Sequence, residues 1–222
     1  QPLLDALDRK IPTRITVGDQ SEIVQACRFA EQFDLRLVLI NAYEAWLVPQ
    51  QVAASGAITV TVPRIRIWPS SGREDRSGSS ITTCAVLEKA GAKFCVLPPG
   101  GFGGRGTGIG LGGISGRDLL TYAWDAAFAV RGGASEEAAL RAITLTAAEA
   151  LGVEDRVGSL TRGKDADIVI FQGAPFDFRY RAETTIIAGQ VVYERSKSSF
   201  FAHLKDPKAS AEPKLADTPE RR

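Results

Sequence analysis

The chain has 222 residues, a formal net charge of +1, 44% hydrophobic residues and 24% charged ones. That length supports a core, and the balance gives no electrostatic reason to expect nucleic acid or an anionic membrane as a partner. No apolar run approaches the roughly 20 residues of a membrane span. Cys27, Cys84 and Cys95 lack the CxxC spacing of a zinc knuckle and do not form a disulfide framework, so they read as small buried hydrophobes.

The chain opens on Gln1 and contains no methionine, which reads as a processed product or a fragment of a longer chain. Residues 1–10 carry Leu3, Leu4 and Leu7 on one face and fit the end of a helix. Residues 11–17 are a strand. Residues 19–33 form a second helix, with Ile23, Ala26, Cys27 and Ala30 as its apolar stripe and Asp19 or Ser21 as its cap. Residues 35–40 are a buried strand, 43–56 a helix closed by Gly56, and 58–63 a third strand. Residues 69–82 are polar and rich in Ser and Gly, the composition of a mobile loop. Residues 81–90 are helical with Gly91 as the stop, and 93–97 are a fourth strand. Residues 98–116 form a Gly-rich loop. Residues 117–131 form another helix, with Leu119, Leu120, Ala123, Trp124 and Ala127 facing inward.

Ser135, followed by Glu136 and Glu137, opens the next helix as an N-cap with acids over the bare N–H groups. Leu140, Ile143, Leu145, Ala148 and Leu151 then recur near a helical period, and Gly152 is the C-cap. Val157 and Gly158 begin a turn, and residues 160–164 are a basic approach to a hairpin. Residues 166–171 are a short buried strand. Residues 184–193 form a second one, folded at Gly189 and Gln190. Residues 205–222 are rich in Pro, Ala and charge, a disordered composition.

Strands that alternate with helices at this spacing imply parallel βα units, an α/β fold. Four units fill about half of a (β/α)8 barrel, which takes about 250 residues. The expected layout is a half-barrel over residues 1–152, β-sandwich strands over 153–195 and a C-terminal extension over 196–222.

The run ALRAITLTAAEALGVEDRVGSLTRGKDADIVIF, followed by IIAGQVVYE, resembles the C-terminal end of the amidohydrolase superfamily, in particular its imidazolonepropionase-related, metal-dependent hydrolases. The resemblance implies the C-terminal half of a TIM-type barrel plus strands of a small β-sandwich. A missing N-terminal half or a partner chain would complete them. It also implies metal ligands at the C-terminal strand ends, where barrel enzymes place their chemistry. There the carry-over fails. Thr16 stands where the first strand should end in a ligand His, and Asn41 where the second His is expected. Pro99, or Pro98 with a one-residue slip, replaces the final Asp. A catalytic zinc needs about three ligands drawn from His, Cys and carboxylate, and these side chains supply none. His203, the one histidine, lies outside the barrel. Asp19 and Glu22 read as capping acids. No catalytic residue, cofactor or metal is therefore assigned to this chain, and zinc enters only through a partner or the missing half.

Other residues are candidates for a pocket or loop. Tyr43, with Trp46, is placed to line the pocket or to pack the helix below. Arg64, Arg66 and Trp68 sit near the mouth. Gly106, Gly108 and Gly110 lie in a Gly-rich stretch that resembles the lid glycines of kinase-type ATPases but lacks a phosphate-loop Lys. Three functional readings follow. The first is a catalytically degenerate amidohydrolase-like subunit, a pseudoenzyme serving as scaffold or binding partner in a hetero-oligomer. The second is part of an active hydrolase of cyclic or linear C–N bonds, with ligands from the missing half or a partner. The third is anion or nucleotide binding by the Gly-rich loop. Substrate, compartment and oligomer size are not encoded in any motif.

Overall fold

A computed structural model describes residues 1–100, 106–107, 122–177 and 179–198. Contacts divide the chain into two compact units, residues 1–164 and 165–222.

In the first unit, β1 (Thr13–Thr16), β2 (Leu37–Ile40), β3 (Ile58–Thr61) and β4 (Lys93–Val96) form one parallel sheet in the order β1-β2-β3-β4. The runs LVLI and ITVT carry no charge, as strands covered on both faces require, and β3 is buried throughout. β1 alternates instead, leaving Arg14 and Thr16 exposed. Thr16 pairs with Ile40, Ile40 with Val60 and Val60 with Cys95, so these four share a face. On it Val38, Ile58, Val60 and Cys95 cluster with Ala150, and Ile40, Leu97 and Ala147 pack against them. The opposite face holds Leu39, Thr59 and Val96, all fully buried. Burying a side chain such as Leu39 contributes roughly 1.5–3 kcal/mol.

The helices connect these strands. α1 (Pro2–Leu7) buries none of its residues, and Leu3, Leu4 and Leu7 are exposed. α2 (Gln20–Gln32) begins at Asp19, whose side chain accepts from the Glu22 N–H, and it buries Ile23, Ala26, Cys27 and Ala30, the expected stripe. The expected helix over 43–56 is broken. A 3-10 turn, Ala45–Leu47, gives way to α3 (Pro49–Ala54). Pro49 has no N–H and its ring would clash with the carbonyl four residues back, so the chain must restart there. α4 (Thr83–Lys89) precedes β4. The short strands β5 (Pro99–Gly100) and β6 (Gly106–Thr107) pair antiparallel.

Two expected apolar faces are corrected. α5 (Tyr122–Arg131) buries Asp125, Ala126 and Ala129, while Trp124 is 42% exposed. Leu119 and Leu120 lie outside the described residues. The expected single helix over 136–151 is two, α6 (Glu136–Ala142) and α7 (Leu145–Leu151). Between them Thr144 leaves helical geometry (φ −129°, ψ −96°), and its hydroxyl bonds back to the Leu140 carbonyl at 2.7 Å. Ala139, Ala142, Ala148 and Ala150 are buried, while Leu140 and Leu151 are exposed. Small side chains let these helices approach closely, and the large ones are turned outward. The Ser135 cap and the left-handed Gly152 C-cap form as expected.

The second unit holds an antiparallel sheet of β7 (Ile168–Phe171), β8 (Ala182–Ile187) and β9 (Gln190–Glu194) in that order. β7 is not the buried strand expected: Val169 and Ile170 are about half exposed. Among the described residues of this unit no second layer covers the sheet. The β8–β9 turn is Ala188-Gly189, one residue earlier than expected, with φ of 50° and 77°. Tight hairpins need positive φ at both central positions. Two bonds tie this turn to the segment before β7: Gly189 N–H to the Ala166 carbonyl at 3.0 Å and Ala188 N–H to Asp167 Oδ1 at 2.8 Å.

Candidate functional site

The C-terminal ends of the parallel strands are the place to look for chemistry. β1 ends at Thr16, exposed on the face it shares with Ile40. β2 ends at Ile40, and the chain turns at once at Asn41 with φ +71°. Asn is among the few non-glycine residues that tolerate this geometry. Asn41 Oδ1 is buried without a hydrogen-bond partner among the described residues. Pro99 opens β5 opposite Thr107. The donor set therefore offers a hydroxyl, an amide oxygen and a prolyl residue, and it does not fit a catalytic zinc. Among the described residues no group of three His, Cys, Asp or Glu is placed to hold a metal ion. His203 lies outside them, as do Gly108 and Gly110, while Gly106 opens β6.

Glu44 was not singled out from sequence, yet it organises this end of the sheet. It is buried, and each carboxylate oxygen accepts one backbone N–H: Oε2 from Gln20 at 2.9 Å and Oε1 from Gly78 at 2.8 Å. Trp46 Nε1 donates to the Gly78 carbonyl at 2.9 Å. The stretch over 69–82, expected to be mobile, is thereby tied at Gly78 to α2 and to the 3-10 turn. Within it Ser77 Oγ accepts from the Ser70 N–H and donates to the Arg73 carbonyl, while Ser79 Oγ accepts from the Ile67 N–H. Gly78 has φ +84°, and a Cβ there would sit 2.7 Å from the Ile67 carbonyl. Serine- and glycine-rich composition here marks a tightly folded strap.

The other singled-out residues are dispersed. Arg64 makes a bidentate pair with Asp125, Nε to Oδ1 at 2.6 Å and Nη2 to Oδ2 at 2.9 Å, and Asp125 is fully buried. Arg66 stacks on Trp68, 3.8 Å from the ring centroid, and Trp68 is 70% exposed. Tyr43 is half-buried, and burial raises its pKa. Tyr122 is pushed up to about 12, first by burial and then by Cys95 and Asp125. Burial likewise pushes the Cys84 and Cys95 thiols to about 12, which keeps them protonated and unreactive.

A cleft of about 350 Å³ opens between α2 and the strap, with Asp19, Ser21, Arg28, Glu44 and Arg73 in its wall. Neither Thr16 nor Asn41 lines it. None of its residues forms a recognisable motif, because they come from three separate segments.

Residues 121–193 match the Amidohydrolase family model. An amidohydrolase from Thermotoga maritima MSB8 superposes with a TM-score of 0.66 and 30% identity, over 86% of this chain and 46% of that one. The chain is thus similar to amidohydrolases in its fold and, over residues 121–193, in its sequence. Two further solved structures share the fold. One is an amidohydrolase, with a TM-score of 0.58, 15% identity and coverage of 86% and 46%. The other is a prolidase complexed with N-methylphosphonate-L-proline, with a TM-score of 0.54, 14% identity and coverage of 82% and 45%. The chain spans about half the length of these structures. The comparison with curated proteins finds no match. No helix among the described residues is long and apolar enough to cross a membrane.

Proposed function

We propose that this chain supplies the C-terminal half of a (β/α)8 barrel with a degenerate metal centre, and that it acts as a scaffold or binding partner in a larger assembly. The observation that carries this reading is the donor set Thr16, Asn41 and Pro99 at the strand ends. The sequential order β1-β2-β3-β4 supports the half-barrel, since a barrel is built from consecutive parallel neighbours. Among the described residues β1 and β4 each pair on one side only, and an unpaired strand edge is a ready template for another strand. The partner in this reading is the complementary half or a homologous amidohydrolase-like chain.

The test is metal analysis of the chain alone and of the chain isolated with its partner. Sub-stoichiometric zinc and cobalt in both, with no effect of chelator on melting temperature, is the expected result. One equivalent of metal whose retention falls on Asn41→Ala would overturn the reading. A second reading, an active hydrolase of cyclic or linear amides with ligands from a partner, draws on the 30% identity to an amidohydrolase. It requires metal in the assembly that is indifferent to substitution at Thr16 and Asn41.

A further inference from the structure

The cleft beside α2 is lined by neither Thr16 nor Asn41. Its wall carries both signs of charge, in different conditions. The carboxylates are fixed by backbone donors: Asp19 Oδ1 accepts from the Glu22 N–H at 2.9 Å, and Glu44 accepts from Gln20 and Gly78. A carboxylate has about four lone-pair sites, so each keeps capacity to accept. The guanidinium groups of Arg28 and Arg73 enter no ion pair among the described residues. Arg73 Nη2 has one marginal contact, 3.5 Å from the Arg76 carbonyl. The strap that carries Arg73 is held in place through Glu44, Trp46 and Ser77. The cleft is therefore built before any ligand arrives.

We infer that this cleft binds a zwitterion of amino-acid size. Its carboxylate meets the guanidinium groups of Arg28 and Arg73, and its ammonium meets the carboxylates of Asp19 and Glu44. A simple anion would face the two acids, and a simple cation the two arginines. Only a molecule carrying both signs satisfies the wall. Guanidinium is the natural partner of a planar carboxylate, and about 350 Å³ falls in the range of small-molecule pockets. Val24 adds an apolar surface for side-chain methylenes. This inference does not depend on the barrel being catalytically degenerate.

The experiment is calorimetric titration of the full chain with L-glutamine, N-acetyl-L-glutamine and L-glutaminamide. The first carries both charges, the second only the carboxylate and the third only the ammonium. Saturable binding of L-glutamine, with each blocked compound at least about tenfold weaker, is expected. The double substitution Arg28→Gln and Arg73→Gln, at two exposed positions, removes the binding and leaves the circular dichroism spectrum unchanged. No saturable heat with L-glutamine would overturn the inference. So would equal binding of the acetylated compound, which makes the cleft a plain anion site, or binding that survives the double substitution.

Discussion

Asp125 concentrates the electrostatic demands of the first unit. A carboxylate with no exposed surface is tolerable because Arg64 meets both its oxygens. Arg64→Ala removes that fork and is expected to cost about 3–5 kcal/mol in urea unfolding, the range for deleting one partner of a buried ion pair. Arg66→Ala, which removes only an exposed stack on Trp68, should cost under about 1 kcal/mol. Buried thiols set a second expectation. Cys84 and Cys95 have ordinary values of 9.0, raised to about 12 by burial. A raised folded-state pKa stabilises fully below the unfolded value and loses that stabilisation as pH climbs through the folded one. Stability should therefore fall between pH 9 and 12, by about 1.4 kcal/mol per pH unit for each thiol. Urea midpoints across that range measure it, and Cys84→Ala should flatten the slope. Little of this was legible beforehand. Arg64 and Asp125 stand 61 positions apart and share no pattern, whereas the Asp19 cap and the Ile23–Ala26–Cys27–Ala30 stripe are local and were read correctly. The left-handed turn at Asn41 was not legible either.

At the level of elements, the motif that carries the family resemblance is structural. Gly158 has φ +88°, and a Cβ there would come within 2.8 Å of the Ala148 Cβ and 3.0 Å of the Thr144 carbonyl. The Lys164 ammonium donates to the carbonyls of Glu154 and Val157, and Asp167 holds the hairpin turn. These residues close turns. Gly158→Ala should cost at least about 2 kcal/mol, since both the backbone region and the space are unsuitable. The strap offers a sharper test. Glu44→Ala leaves the Gln20 and Gly78 N–H groups without their acceptor, at about 1–3 kcal/mol each when buried. Residues 69–80 should then become the first site of proteolytic nicking while the sheet survives. Composition misled here, because the same Ser and Gly residues that favour loops also build compact ones through side-chain bonds to backbone. The helix breaks near Pro49 and Thr144 were visible in principle. Pro49 announces its break by chemistry, whereas Thr144 leaves the helix through a choice of backbone geometry that periodicity does not encode.

For the molecule as a whole, the parallel sheet was read strand by strand from four short runs between helices, and the order of those strands agrees with consecutive βα units. The second unit was read less well. Its β-branched, apolar composition predicts a buried strand over 166–171, but Val169 and Ile170 are about half exposed, as are Ile187, Val191 and Val192 in the neighbouring strands. Burial is a property of what lies opposite, which a strand's own residues do not specify. An exposed apolar sheet of this kind should bind the dye ANS. If the half-barrel reading holds, the signal should fall when the complementary half is added; unchanged fluorescence would separate that partner from this surface. The neighbour-by-neighbour pairing of β1 through β4 has one more consequence. Each strand docks on the one synthesised just before it, so assembly can keep pace with the ribosome. Nascent chains stalled after β2, β3 and β4 should then show stepwise gains in protease resistance, with no pairing held back to wait for a distant end of the polypeptide.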